Sequence, residues 1–202
     1  MTLPPPVDLG APLPPPTPSP EMLARLATRR SAPAQALTTP GPDAGQIADI
    51  LTLAARSPDH GKLFPWRFVV MGPVSRAQIA ERLAAMAVEK GLPAKATAVL
   101  AKLTAAPTTV LVISTAAPAS KPVWEQELSA GAVCMNLEHA ASAFGFASSW
   151  ITDWYSYDAD AVALFGVREG ERVAGFIHLG TAAEPLLERD RPNVATLMTH
   201  LP

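Results

Sequence analysis

Cysteine is almost missing from this chain of 202 residues: Cys134 is the only one. Neither a disulfide framework nor a thiolate metal cluster can be assembled within one copy, which points to a reducing compartment. Charge is also sparse. Only 17% of residues are Asp, Glu, Lys or Arg, and the formal net charge is -2. No broad cationic field exists for a phosphate backbone to meet, so nucleic acid is not an expected partner. No apolar run reaches the roughly 18 residues that cross a bilayer, and the first residues lack the basic flank and apolar stretch of a signal peptide. A soluble, cytoplasmic protein is expected. Several motifs are absent too: Gly-x-x-x-x-Gly-Lys, Gly-x-Gly-x-x-Gly, His-Glu-x-x-His and Gly-x-Ser-x-Gly do not occur. That removes the commonest phosphate-loop, dinucleotide, zinc-hydrolase and serine-hydrolase signatures.

What is present is apolar: 49% of residues are hydrophobic, enough to bury a substantial core in one domain. Residues 1–20 stand apart, holding nine of the 22 prolines. They read as an extended tail, draped on the fold or on a partner subunit, ahead of a domain covering 21–202. Apolar spacing predicts a helix over 21–28, and another after the N-cap residue Asp43 that carries Ile47, Ile50, Leu51 and Ala54. A helix capped by Ser75 is expected to run towards Lys90, followed by a helix over 94–105, a long one over 124–144 and a short one over 159–165. Strands are expected over 67–71, 108–115, 147–152 and 172–179. The run Val110-Leu111-Val112-Ile113 suits a central strand covered on both faces.

Few residues remain that could carry chemistry. His139 falls mid-helix and His178 within a strand, where satisfied structural roles are the simpler reading. His60 differs, because Arg56-Ser57-Pro58-Asp59-His60 forms a polar, proline-braced loop running into an apolar strand. A carboxylate could fix the tautomer of its ring; a cap or turn role fits the same residues equally well. Arg29-Arg30-Ser31 offers guanidinium forks and a hydroxyl suited to a phosphate monoester, or forms a solvated basic turn. Trp124-Glu125-Gln126-Glu127 opens a helix whose small residues Ser129, Ala130, Gly131 and Ala132 permit close packing. Glu125 and Glu127 do not share a helical face, so they are not a paired acid and base. Arg189 and Arg191 either close an anion site or end a solvated loop.

Taken in order, the Arg29 turn, the Arg56–Phe68 loop and the Trp124–Ala132 helix start resemble the FMN-dependent nitroreductase family, in particular its short single-domain bacterial branch. The resemblance covers about residues 21–182. It implies an α+β, three-layer fold with a mixed central sheet surrounded by helices, and a homodimer with FMN at the subunit interface. It further implies that Arg29, Arg30 and Ser31 hold the phosphate and ribityl chain, that Arg56 and His60 reach the flavin, and that Trp150, Ile151 and Thr152 flank it. The stretch Ala140, Ala141, Ser142, Ala143, Phe144 and Gly145 is expected to adjoin the nicotinamide nucleotide. Many relatives have more glycine where this chain has Ala147, Ser148 and Ser149, and an Arg or Gly where it has Ile151 and Asp153, which leaves acceptor and nucleotide preference open. The implied activity is reduction of nitroaromatics, quinones or related electrophiles by NADH or NADPH in ping-pong order, with the chemistry on the flavin and no catalytic side chain or metal. A flavin-binding or storage protein with little turnover is the alternative.

Overall fold

The computed structural model describes residues 3–201; Met1 and Thr2 of the proline-rich tail and Pro202 lie outside the described residues. From Pro4 to Thr28 every residue is exposed. The described tail up to Ser19 forms no helix or strand, only a turn at Leu9-Gly10, where the Ala11 N–H donates to the Asp8 carbonyl at 3.0 Å, as suits a segment in which prolines remove many N–H donors. Ser19 then caps α1 (Pro20–Thr28), accepting a hydrogen bond from the Met22 N–H. No residue of α1 is buried, although Met22, Leu23 and Leu26 give it an apolar side.

The chain continues through β1 (Leu37–Thr38), α2 (Ala44–Ala54), β2 (Trp66–Met71), α3 (Pro73–Glu89), α4 (Ala94–Ala98), α5 (Ala101–Ala105), β3 (Thr108–Ser114), α6 (Val123–Ala143), β4 (Ala147–Ile151), α7 (Ala159–Ala163) and β5 (Arg172–Ala182). Asp43 caps α2 in a reciprocal capping box with Gln46. Two expectations shift. The helix assigned to a Ser75 cap starts earlier, at Pro73, because proline is pre-shaped for the first helical position and lacks only an N–H that would be unsatisfied there. The helix expected over 94–105 divides in two, since Leu100, Lys102 and Leu103 bond three residues back and tighten the chain into a 3₁₀ turn that buries Val99 and Leu100.

Five strands form one sheet in the order β1-β5-β3-β2, with β4 paired on β5. Every pairing among the described residues is antiparallel, so the sheet is not the mixed one expected. The alternation of β3 builds the layers. Val110 and Val112 join Ile47, Ile50, Val133 and Leu137 of α2 and α6 on one face, and Leu111 and Ile113 join Leu83, Leu103 and Phe165 of α3, α5 and the α7 segment on the other. The three-layer α+β expectation holds. No helix among the described residues is long and apolar enough to cross a membrane.

Candidate functional site

The Arg29-Arg30-Ser31 turn is tied directly to the sheet. The Ala32 N–H donates to the Ser148 carbonyl at 2.9 Å, which sets the turn at the start of β4. Arg29 Nη1 lies 3.4 Å from Ser31 Oγ, while Arg30 Nε donates to the Leu187 carbonyl at 2.8 Å. The segment after β5 returns across the turn: Arg191 Nη2 donates to the Arg29 carbonyl at 2.8 Å, and its Nε bonds Glu188 Oε1 at 3.0 Å. Arg25, from α1, donates to the Ser142 carbonyl at 2.7 Å. Between these segments opens a cleft of about 340 Å³, lined by Arg25, Arg29, Arg30, Glu138, Ser142, Gly145 and Ser148 among others. Glu138 is buried and accepts from Ser148 Oγ at 2.9 Å. Arg29 has no carboxylate partner among the described residues, so a guanidinium fork is left for an external anion.

From this cleft β4 runs as a free edge, because β5 is its only strand partner among the described residues. In an antiparallel ladder alternate residues turn both backbone groups to the same side. Ser148, opposite Leu179, gives its outward carbonyl to Ala32; Trp150, opposite Ile177, faces the same way and directs its N–H and C=O off the edge. The indole of Trp150 folds back instead, with Nε1 donating to the Ala174 carbonyl at 3.1 Å. It occupies the space beside Gly175, where an added Cβ would come within 2.0 Å of Nε1. Thr152 Oγ1 shares a hydrogen bond of 2.8 Å with the Tyr157 hydroxyl. From Ser148 to Thr152 the edge extends for about 13 Å at strand rise.

The Arg56–Trp66 loop is built on α6 rather than on this edge. Ser129 Oγ donates to the Pro58 carbonyl at 2.7 Å, and Asn136 Nδ2 to Ser57 Oγ at 2.8 Å. Asp59 braces the turn from inside, accepting from the Lys62 and Phe64 N–H groups at 2.8 and 2.5 Å. It has to, since Gly61, Lys62 and Phe64 all sit at positive φ, 96°, 56° and 47°, and the last two carry a Cβ that this region penalises. Asp59 is thereby not the carboxylate that holds His60. Glu125 is: its Oε2 lies 2.6 Å from His60 Nδ1. The two line a groove of about 370 Å³ with Pro58, Asp59, Leu128, Ser129 and Ala132. Glu127, one face away, pairs with Arg172 at 2.9 Å, which agrees with the expectation that the two glutamates do not act together.

The expected site residues thus fall into two groups. Arg29, Arg30, Ser142 and Gly145 line the cleft, Ser31 lines a neighbouring cavity of about 280 Å³ that Arg30 also borders, and Trp150, Ile151 and Thr152 follow β4. Arg56 and His60 have no contact with either among the described residues, and Arg56 is exposed without a side-chain hydrogen bond there. Ala140 and Ala141 are a correction: their side chains lie in the α2–α6 core, turned inward by the helical period, and are not available to a nucleotide. His178 is buried with Nδ1 2.8 Å from Thr109 Oγ1, and Cys134 is buried, its thiol pushed up to about 12 by that burial and then by the charge of Glu138. Both are structural.

The sequence matches the profile of the Nitroreductase family over residues 26–181. The chain belongs to the nitroreductase family. It is 36% identical over 167 residues to a protein of Haemophilus influenzae assigned as an NAD(P)H nitroreductase, covering 81% of this chain and 90% of that one. Among solved structures, a nitroreductase-like protein of Bacillus cereus superposes with a TM-score of 0.79 at 18% identity, over 92% of this chain and 98% of the other. A Bacteroides fragilis nitroreductase with bound FMN gives 0.68 at 24% identity, over 91% and 100%. On this nitroreductase fold the sequence reading missed Arg25 and the pairing of Glu125 with His60, and it named Arg191 without its partner, the Arg29 carbonyl. Each contact joins residues far apart in the chain, by 117, 65 and 162 positions, and no local pattern announces them.

Proposed function

We propose that this nitroreductase-family chain is an FMN-dependent oxidoreductase that takes a hydride from NADH or NADPH and reduces nitroaromatics, quinones or related electrophiles in the cytoplasm. One observation carries the reading. The Ala32–Ser148 hydrogen bond sets a turn bearing two arginines and a serine at one end of an unpaired sheet edge. The donor set fits a flavin mononucleotide. Arg29, Arg30 and Ser31 hold its phosphate, Arg191 closes over them, and the outward N–H and C=O of Trp150 meet the polar rim of the ring system along β4. Bound there, the flavin supplies hydride acceptance and donation, and the protein binds, orients and excludes water.

Arg56 and His60 project from the far side of α6 and do not reach this edge in their own chain. A second copy supplies them, so that each site takes its phosphate end and strand edge from one subunit and its loop residues Arg56 and His60 from the other. The homodimer is therefore part of the site. A cationic donor near the ring stabilises negative charge that develops on reduction. NAD(P)H leaves before the electrophile enters the same stacking position. The domain extends over 21–202, with residues 1–20 as an appended tail.

The visible absorption spectrum of the purified protein, followed by anaerobic addition of NADH and then NADPH, tests the reading. A flavin spectrum that bleaches is expected. A flavin spectrum that persists would instead identify a binding or storage protein, and a colourless protein that takes up no added FMN would overturn the cofactor assignment.

A further inference from the structure

His60 is held by more than its own loop. A carboxylate only accepts hydrogen bonds, so the 2.6 Å contact between Glu125 Oε2 and His60 Nδ1 places a proton on Nδ1. Nε2 makes no hydrogen bond among the described residues and is left as the nitrogen that meets whatever enters the groove. Glu125 reaches the ring from the first turn of α6, where its side chain could have been spent on the helix's own N–H groups and is not. The loop does not need this tether to stay in place, because Ser129, Asn136 and Asp59 already fix its backbone.

We infer that Glu125 is a positioning residue: it selects the Nδ1–H form of His60 and turns Nε2 outward as the atom presented to the cofactor. The clause about the cofactor rests on the flavin reading; the selection of tautomer does not. Both groups are about half exposed, so a plain surface ion pair would add little to stability, whereas a fixed tautomer changes what the ring offers to a ligand.

The test is ¹⁵N-edited NMR of the imidazole nitrogens in the purified full-length protein, with the His60 signals assigned by their loss in His60→Ala. The wild type is expected to show one Nδ1–H species. Glu125→Ala is expected to give a mixture of tautomers with the melting temperature unchanged, and Glu125→Gln to restore the single form, since its amide oxygen accepts the same bond. FMN dissociation constants complete a double-mutant cycle: Glu125→Ala weakens binding several-fold in the wild-type background and not further in His60→Ala. A single Nδ1–H species in Glu125→Ala would overturn the inference, as would a loss of FMN affinity that simply adds to that of His60→Ala. If the wild type binds no FMN, the flavin reading fails and the tautomer measurement alone decides the role of Glu125.

Discussion

Arg76 and His178 show how single residues set the constraints on this fold. The guanidinium of Arg76 is wholly buried and donates to the carbonyls of Gly72, Leu103, Ala106 and Pro107, gathering the chain ends that follow α5 and precede α3. Arg76→Leu strands those acceptors and is expected to destabilise the protein by about 3–5 kcal/mol, measured by urea denaturation. Nearby, burial and then the charge of Arg76 hold the His178 imidazole at about 3, down from the usual 6.5. The ring is therefore neutral in the folded protein, and the unfolded chain binds the proton first. Stability contributed by this histidine is present above pH 6.5 and falls progressively as the pH drops towards 3. Unfolding free energies at pH 7 and pH 5.5 should differ by about 1.3 kcal/mol more in the wild type than in His178→Gln. A structural role for His178 was legible from its place in an apolar strand, but its neighbour was not, because Arg76 lies on a helix that only the fold brings over the sheet.

At the scale of elements, the informative feature is how β4 is finished. Its outer edge takes one hydrogen bond, from Ala32 to Ser148, and its large side chain, Trp150, is folded onto Gly175 of β5. Gly175→Ala forces the indole away from the strand, since a Cβ there would lie 2.0 Å from Nε1 and 2.3 Å from Cδ1 of Trp150 as it now sits. Loss of the bond to the Ala174 carbonyl and a change in tryptophan fluorescence are expected, with weaker FMN retention. Asp43→Ala removes the side-chain half of the capping box on α2, the bond from the Gln46 N–H, while keeping the backbone N–H that donates to Gln46 Oε1, and should cost about 1 kcal/mol in thermal or chemical denaturation, with no effect on the flavin site. The positions of α2, β2, β3, α6 and β5 were readable from periodicity because each buries a continuous apolar stripe. The division of α4 from α5 and the two-residue β1 were not, since both depend on what packs against them rather than on their own pattern.

For the whole molecule, the two groups of expected flavin contacts lie on different sides of α6, and this makes a quantitative prediction. Arg29→Ala with Arg30→Ala in one subunit, and Arg56→Ala with His60→Ala in the other, should each abolish FMN binding as homodimers. Mixed by co-expression, about half the dimers pair unlike subunits, and each of these holds one intact site of two, so about a quarter of wild-type flavin content should return. No recovery would mean that each chain completes its own site. The proline-rich tail and the exposed apolar side of α1 lie outside this scheme, and deleting residues 1–18 should leave the flavin content of the core unchanged.

The resemblance carried by three ordered segments gave the family, with the α+β layering, the flavin chemistry and the residues to watch that it implies, while hydrophobic period placed most of the helices and strands, because these are properties of short stretches of chain. Antiparallel pairing throughout the sheet, the burial of Ala140 and Ala141, the separation of His60 from the Arg29 turn and the replacement of Asp59 by Glu125 as the partner of His60 were decided by tertiary structure alone. Each depends on which distant segment arrives alongside: a carboxylate next to a histidine in sequence can be spent on the backbone of a strained loop, leaving one 65 residues away to hold the ring.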